Sequence, residues 1–141
     1  MDKLNLPSYA YKISESDNKT YIFDPIRKKN LVLTPEEWVR QHFAHYFIKV
    51  KKYAPSALIL EKKLEVNGTL KRIDLLITEK ASPKILIELK APHITLSQET
   101  FEQIARYNSV IGAEKIILSN GNQHIFAKFE NEKYIFEPIN L

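Results

Sequence analysis

The chain has 141 residues, 44% hydrophobic and 11% aromatic, which suits one domain with a real core and excludes a disordered chain. It has no cysteine, so a disulfide scaffold, a thiolate nucleophile and any cysteine-ligated zinc or iron–sulfur centre are ruled out. Its 21 Lys and Arg against 17 Asp and Glu leave a net charge of +4, which permits a phosphate-rich partner without demanding one.

No apolar run approaches the ~18 residues of a membrane helix, and the first residues, Met1 to Leu6, lack the apolar stretch of a secretory signal. The expectation is a cytoplasmic protein with no membrane partner. The cations gather at Arg27-Lys28-Lys29, Lys49 with Lys51-Lys52, Lys62-Lys63 and Lys71-Arg72. Each group alone reads as solvated surface, and only a shared face would make them a nucleic-acid footprint.

In chain order, residues 9–13 and 20–23 read as a hairpin around a polar turn at 14–19, and residues 25–33 as a connector. Thr34-Pro35-Glu36-Glu37 is a strong helix start: Thr34 can cap, Pro35 suits the first helical position, and Glu37 completes a capping box. This helix is expected to run to about Val50, with Val39, Phe43, Tyr46, Phe47 and Val50 on one stripe. Strands follow at 57–66 and 70–77 around Asn67-Gly68, the strongest short hairpin signal in the chain. A turn at 79–83 leads to a strand at 84–90. Residues 97–111 read as a helix, with Phe101, Ile104, Ala105, Asn108 and Ile111 toward the sheet. A strand at 115–118 ends at Ser119-Asn120-Gly121, and residues 124–129 and 133–137 close the chain as a hairpin through Asn131. The fold class is α/β (α+β), a mixed sheet flanked by helices with N-terminal and C-terminal hairpins. One domain spans 1–141: hairpin and connector at 1–33, core at 34–125 and C-terminal hairpin at 126–141.

The informative stretch is Lys71-Arg72-Ile73-Asp74-Leu75-Leu76-Ile77, then Lys84-Ile85-Leu86-Ile87-Glu88-Leu89-Lys90. A turn centred near Ala81 sets Asp74 opposite Glu88 and Arg72 opposite Lys90. Strand alternation then puts those four charges on one face with Leu76 and Leu86, and Ile73, Leu75, Ile77, Ile85, Ile87 and Leu89 on the other. Charges gathered at one end of a partly apolar face are either ordinary cross-strand ion pairs, each worth about 0–1 kcal/mol when exposed, or a metal site. In the second case Asp74 and Glu88 supply hard oxygens for Mg²⁺ or Mn²⁺, which completes its shell with water and substrate phosphate, and Lys90 sits beside the attacking water or the phosphate. A strand-borne Asp followed on the next strand by Glu-x-Lys is much more specific than Glu-x-Lys alone.

Asp74 with Glu88-Leu89-Lys90 resembles the core of the PD-(D/E)xK nuclease superfamily, with Ile73 where the name has a proline. The wider pattern is similar to the small N-terminal nuclease domain of type I restriction enzyme R subunits and its stand-alone relatives. It rests on Thr34-Pro35-Glu36-Glu37-Trp38-Val39-Arg40, on Gly68 leading to Arg72-Ile73-Asp74, and on Ile87-Glu88-Leu89-Lys90-Ala91-Pro92. Gln103-x-x-x-Tyr107 resembles the helix motif of RecB-type members. The resemblance covers about residues 20–125 and implies a restriction-endonuclease-like fold. No phosphate-cradling Gly-x-x-x-x-Gly-Lys-Ser/Thr loop is present, so it implies the nuclease module rather than the DNA-translocating machine.

Carried over by position, the resemblance makes Asp74 and Glu88 metal ligands and Lys90 the catalytic lysine. At about 100° per residue, Glu36 falls on the stripe of Val39, Phe43 and Phe47, whereas Glu37 has its work in the capping box. Glu36 is therefore the expected third carboxylate at the metal, the alternative being an acid favoured by the helix dipole. Arg72, Gln103 and Tyr107 are supporting or DNA-contacting residues. His42 and His45 lie beside the aromatic stripe, His93 sits near the proposed site, His124 reads as surface, and no base is evident for Ser119. The expected function is Mg²⁺-dependent hydrolysis of DNA by an endonuclease. The alternatives are a catalytically silent nucleic-acid-binding or assembly module on the same fold, or a purely protein-binding role. Partners are DNA, with a second copy or a separate motor or specificity subunit left open.

Overall fold

A computed structural model describes residues 1–139 and 141. The order is β1 (Ile13–Ser16), β2 (Lys19–Asp24), β3 (Lys29–Val32), α1 (Pro35–His45), β4 (Leu58–Val66), β5 (Thr69–Glu79), β6 (Ser82–Leu89), α2 (Gln98–Ile111), β7 (Lys115–Ser119), β8 (His124–Glu130) and β9 (Lys133–Glu137). Strands β1–β3 form one antiparallel sheet, and β4 to β9 form a six-stranded sheet in sequence order. All its pairings are antiparallel except β6 with β7, which are parallel and joined through α2. The expected α+β class with a mixed sheet is what forms. The N-terminal hairpin is displaced toward later residues and gains a third strand, β3, from the expected connector. The cause is Asp17-Asn18, both at positive φ, which make a tight turn between Ser16 and Lys19.

The six-stranded sheet is the central layer. Leu75, Ile77, Ile85, Ile87 and Leu89 pack with Val39, Phe43 and Phe47 of the α1 side. Leu76, Leu86, Ile116 and Ala127 pack with Ile104 and Tyr107 of α2. Ser97 caps α2 by accepting from the Thr100 N–H, and Gly112 ends it at a φ of +77°, the left-handed position that favours glycine.

Helix α1 departs most from its expected form. Thr34 Oγ1 accepts from the Glu37 N–H at 3.0 Å, but the return arm of the capping box is absent. The Thr34 N–H donates to the Val32 carbonyl instead, and the Glu37 carboxylate turns inward to arginines. Beyond His45 the chain winds as a π turn over Tyr46–Val50. Widening the turn moves later side chains off the stripe, and Val50 is exposed while Tyr46 and Phe47 stay buried. Every residue from Glu37 to Ala44 is buried, because the N-terminal segment covers the side of α1 away from the sheet. Trp38 Nε1 donates to the Asp2 carbonyl at 2.8 Å, the Asn5 N–H donates to the Gly121 carbonyl at 2.9 Å, and Leu4 is buried. Gly121 has a φ of +89°, and a Cβ there would lie 2.9 Å from Leu4, so the close approach needs glycine.

The β5–β6 hairpin sits in the expected register: Leu75 faces Ile87, Leu76 faces Leu86 and Ile77 faces Ile85, with a bulge next to the turn. That turn is made by Lys80 and Ala81, both at positive φ, where an alanine is strained. Ala81→Gly should raise stability by about 0.5–1 kcal/mol, read as a higher urea midpoint at unchanged slope.

Candidate active site

Regular pairing of β5 ends on either side of Asp74. The ladder with β4 omits the position opposite Glu61, Glu61 has a φ of +53°, and the ladder with β6 stops at Leu75 and Ile87. In place of the next backbone bond, the Leu89 N–H donates to Asp74 Oδ2 at 2.8 Å. The Asp74 side chain thus takes the place of a strand partner. This interruption also explains Ile73, which was expected on the α1 side but packs with Leu76 and Leu86 on the α2 side.

The other Asp74 oxygen, Oδ1, accepts from Arg40 Nη2 of α1 at 2.8 Å. Arg40 also meets Glu37 at 2.6 Å and Glu36 at 3.2 Å. Behind it, Arg27 bonds Asp24, Glu61 at 2.6 Å and Glu37 at 3.1 Å. Asp24, Glu37, Arg40 and Asp74 are all buried, so their charges are met by fixed partners rather than by water, with Arg40 Nε left without a partner among the described residues.

Glu88 lies across from Asp74, close enough to share a side-chain hydrogen bond with it, and Glu36 approaches Asp74 in the same way. Burial followed by the hydrogen bond and charge of Asp74 pushes the Glu88 carboxyl up to about 9. Burial also works against the Asp74 carboxylate, yet the hydrogen bonds with Glu88, Arg40 and the Leu89 N–H hold it below its ordinary value. Two like charges in contact do not both ionise readily, so the environment favours the ionised form of Asp74 over that of Glu88. Burial and the Asp74 charge raise Glu36, against the pull of Arg40 and Lys90. Lys90, half-buried just past β6, is anchored by its N–H to the Ser119 carbonyl at 2.8 Å, and its charge favours the ionised forms of Glu36 and Glu88. From α2, Tyr107 is buried against the same end of the sheet. Burial and the Glu88 charge both raise its phenol.

The structure thus brings Glu36, Asp74, Glu88, Lys90 and Tyr107 together. Gln103 is half-buried one turn before Tyr107. Arg72 is exposed opposite Lys63 and joins no ion pair among the described residues. The cation that braces Asp74 is Arg40, which sequence reasoning did not single out. Glu37, expected as a cap, is the buried acid of α1, while the Glu36 side chain stays 47% exposed and reaches the site from the solvent side. The signal that could have found Arg40 is its spacing: it lies three and four residues after Glu37 and Glu36, where a helix sets all three on neighbouring positions.

The remaining candidates divide by packing. His42 donates through Nδ1 to the Trp38 carbonyl, 2.8 Å away, and His45 stacks on Tyr9 with ring centroids 4.0 Å apart. His93 is exposed and lines a small hollow with Pro35 and Trp38. His124 is buried rather than on the surface, and its Nδ1 lies 2.7 Å from Ser119 Oγ. This Ser–His pair is buried, with His124 lining a hollow beside Asn5 and Gln123. Its Nε2 donates to the Asn5 carbonyl at 2.8 Å, and it pins the N-terminal segment.

Hard carboxylate oxygens of Asp74, Glu88 and Glu36 suit Mg²⁺ or Mn²⁺. Glu88 has no cationic hydrogen-bond partner among the described residues, so a divalent ion would replace its proton. No group of three His, Asp or Glu is drawn around one point as a metal-ligand set among the described residues. Mg²⁺ nonetheless needs only one or two carboxylates when water and substrate phosphate complete its shell.

A six-stranded mixed sheet between two helices, with an acidic pair and a lysine at the end of its central hairpin, defines an α+β domain with a largely buried polar site. Residues 35–141 match the family described as the type I restriction enzyme R protein N terminus (HSDR_N), and the chain belongs to that family. No curated protein matches it. No helix among the described residues is long and apolar enough to cross a membrane.

Two measurements probe the cluster. Truncating Arg40 to Met should cost about 3–5 kcal/mol of stability in urea, because it strands buried Glu37 and Asp74. In the absence of divalent ions, stability should also fall as pH rises. The folded-state value of Glu88 is about 9 against an ordinary value near 4.5, so its contribution is whole below that value and is lost progressively up to about pH 9. The slope approaches about 1.4 kcal/mol per pH unit. Glu36 acts in the same sense, whereas Asp74, ionised in both states across this window, adds no slope. Glu88→Gln should flatten the profile of melting temperature between pH 5 and 9, relative to the parent chain.

Proposed function

We propose that the chain is a Mg²⁺- or Mn²⁺-dependent DNA endonuclease of the PD-(D/E)xK kind. The observation that carries this reading is the convergence of Glu36 from α1, Asp74 from β5, and Glu88 and Lys90 from β6 at one open end of the sheet. Membership in a restriction-enzyme R family supports it. The exposed Arg72 and the nearby Lys71 are free of ion pairs among the described residues and suit a polyanionic backbone.

Asp74 and Glu88 would hold the ion with water and substrate phosphate completing its shell, and Glu36 would act from the solvent side. When bound, the ion supplies an activated water and neutralises charge developing on the phosphate. Arg40 and the Leu89 N–H lock the Asp74 carboxylate in orientation, the kind of support that keeps a ligand in place. Lys90 orients the water or takes up negative charge on the phosphate oxygens. Tyr107 covers the inner side of Glu88, and Gln103 is positioned to contact the DNA backbone. The exposed Glu36 and the half-buried Glu88 and Lys90 give the otherwise buried site a solvent side, as a polymer substrate requires. DNA, and a motor or specificity subunit that delivers it, are the partners this reading implies. A cytoplasmic location is the one that gives such a protein access to DNA.

Cleavage of supercoiled plasmid with Mg²⁺ or Mn²⁺ tests the proposal. Asp74→Asn and Lys90→Ala should each lower the rate by at least about 100-fold while the melting temperature shows the fold is retained. Unchanged turnover in both variants overturns the mechanism. Salt-dependent DNA binding without metal-dependent cutting by the intact chain would establish a silent binding module instead.

A further inference from the structure

The six-stranded sheet ends in two unlike edges. β4 carries Glu61, Lys62, Lys63 and Glu65 and is interrupted at Glu61. Charges and irregularity of this kind keep an edge from pairing with another chain. β9 has no such interruption: its pairing with β8 is unbroken from Lys133 to Glu137, and Ile135 and Phe136 are 43% and 65% exposed.

The direction of the free backbone groups on β9 follows from the register. Asn131 and Glu132, both at positive φ, close a tight turn between Glu130 and Lys133, so Lys133, Ile135 and Glu137 exchange backbone bonds with β8. The Phe129 N–H donates away from β9, to the Glu114 carbonyl at 2.9 Å, which fixes the same alternation on β8. Tyr134 and Phe136 therefore present their N–H and C=O groups outward, and no described strand lies alongside them.

We propose that β9 pairs antiparallel with β9 of a second copy of this chain, about a two-fold axis through Ile135, so that one sheet continues through both copies. In this register Tyr134 of each copy faces Phe136 of the other as a hydrogen-bonded pair, and every outward group of the two residues is used. Ile135 meets its own counterpart, and Lys133 faces Glu137 twice, at the closely spaced positions where side chains interact best. Lys133 has no ion-pair partner among the described residues, and Glu137, which meets Lys115 at 3.3 Å, can serve both cations. A parallel, in-register pairing would set like charges abreast, so charge pattern and hydrogen-bond parity select the same arrangement. The assembly is isologous and independent of the nuclease reading.

Sedimentation velocity of the intact chain from micromolar to near-millimolar concentration tests it. A monomer–dimer equilibrium is expected. Lys133→Glu, which turns two attractive pairs into two repulsive ones, should raise the dissociation constant about tenfold or more. The double exchange Lys133→Glu with Glu137→Lys restores opposite charges and should return the constant to the parent value, and circular dichroism checks that each variant folds. A chain that stays monomeric throughout overturns the proposal. So does a dimer indifferent to Lys133→Glu, or one that the double exchange does not rescue.

Discussion

Arg40 can be buried beneath α1 only because Glu37 and Asp74 are buried with it. One guanidinium touches carboxylates from its own helix and from β5, and Arg27 extends the same lattice to Asp24 on β2 and Glu61 on β4. The planar fork of arginine suits this, since it satisfies several carboxylates in fixed directions at once. Breaking a contact between its buried members, Asp24, Glu37, Arg40 and Asp74, leaves a charge in a poorly hydrated place, so the lattice ties α1, the N-terminal sheet and the central hairpin into one arrangement. The position of Asp74, and through it Glu88, follows from that arrangement.

The backbone contributes the second constraint. A strand that paired regularly through Asp74 would also set it beside Glu88 on one face, but it would give the Leu89 N–H to a backbone carbonyl of β5. Interrupting both ladders at that point lets a carboxylate stand where a carbonyl would, accepting the Leu89 N–H. The site is thereby built into rigid strands rather than borne on a loop, which favours fixed geometry at a reacting centre. The acids exceed the cations here: among the described residues, Asp24, Glu36, Glu37, Glu61, Asp74 and Glu88 face only Arg27, Arg40 and Lys90. Burial and that excess raise the Glu88 carboxyl, and a divalent cation is the chemical means of offsetting the excess.

Much of the fold is legible in local signals. Asn67-Gly68, the Ser97 cap and the alternation of Ile85, Ile87 and Leu89 act over a few residues and need no tertiary context. The register of the central hairpin is legible for the same reason, because the side-chain period is two and one buried face admits one alignment. The third N-terminal strand was not legible: Lys29–Val32 pairs with β2 across a connector rich in charge. Nor was the exchange of roles between Glu36 and Glu37. An amphipathic reading assigns one wet face to a helix, whereas α1 is covered on all sides, so a polar residue in it implies a buried ion pair as readily as solvent.

By itself, the sequence determined the order of strands and helices from α1 onward, the hairpin that sets Asp74 across from Glu88, and the placement of Lys90 two residues beyond. These depend on short-range periodicity and turn chemistry, which are written in adjacent residues. Only the tertiary structure decided that Arg40 braces Asp74, that Glu37 is inside and Glu36 at the rim, and that His124 and Ser119 are enclosed. Those outcomes depend on which surfaces the N-terminal segment covers and on where a ladder is interrupted. Burial sets the cost of each charge, and burial is a property of the whole packed chain.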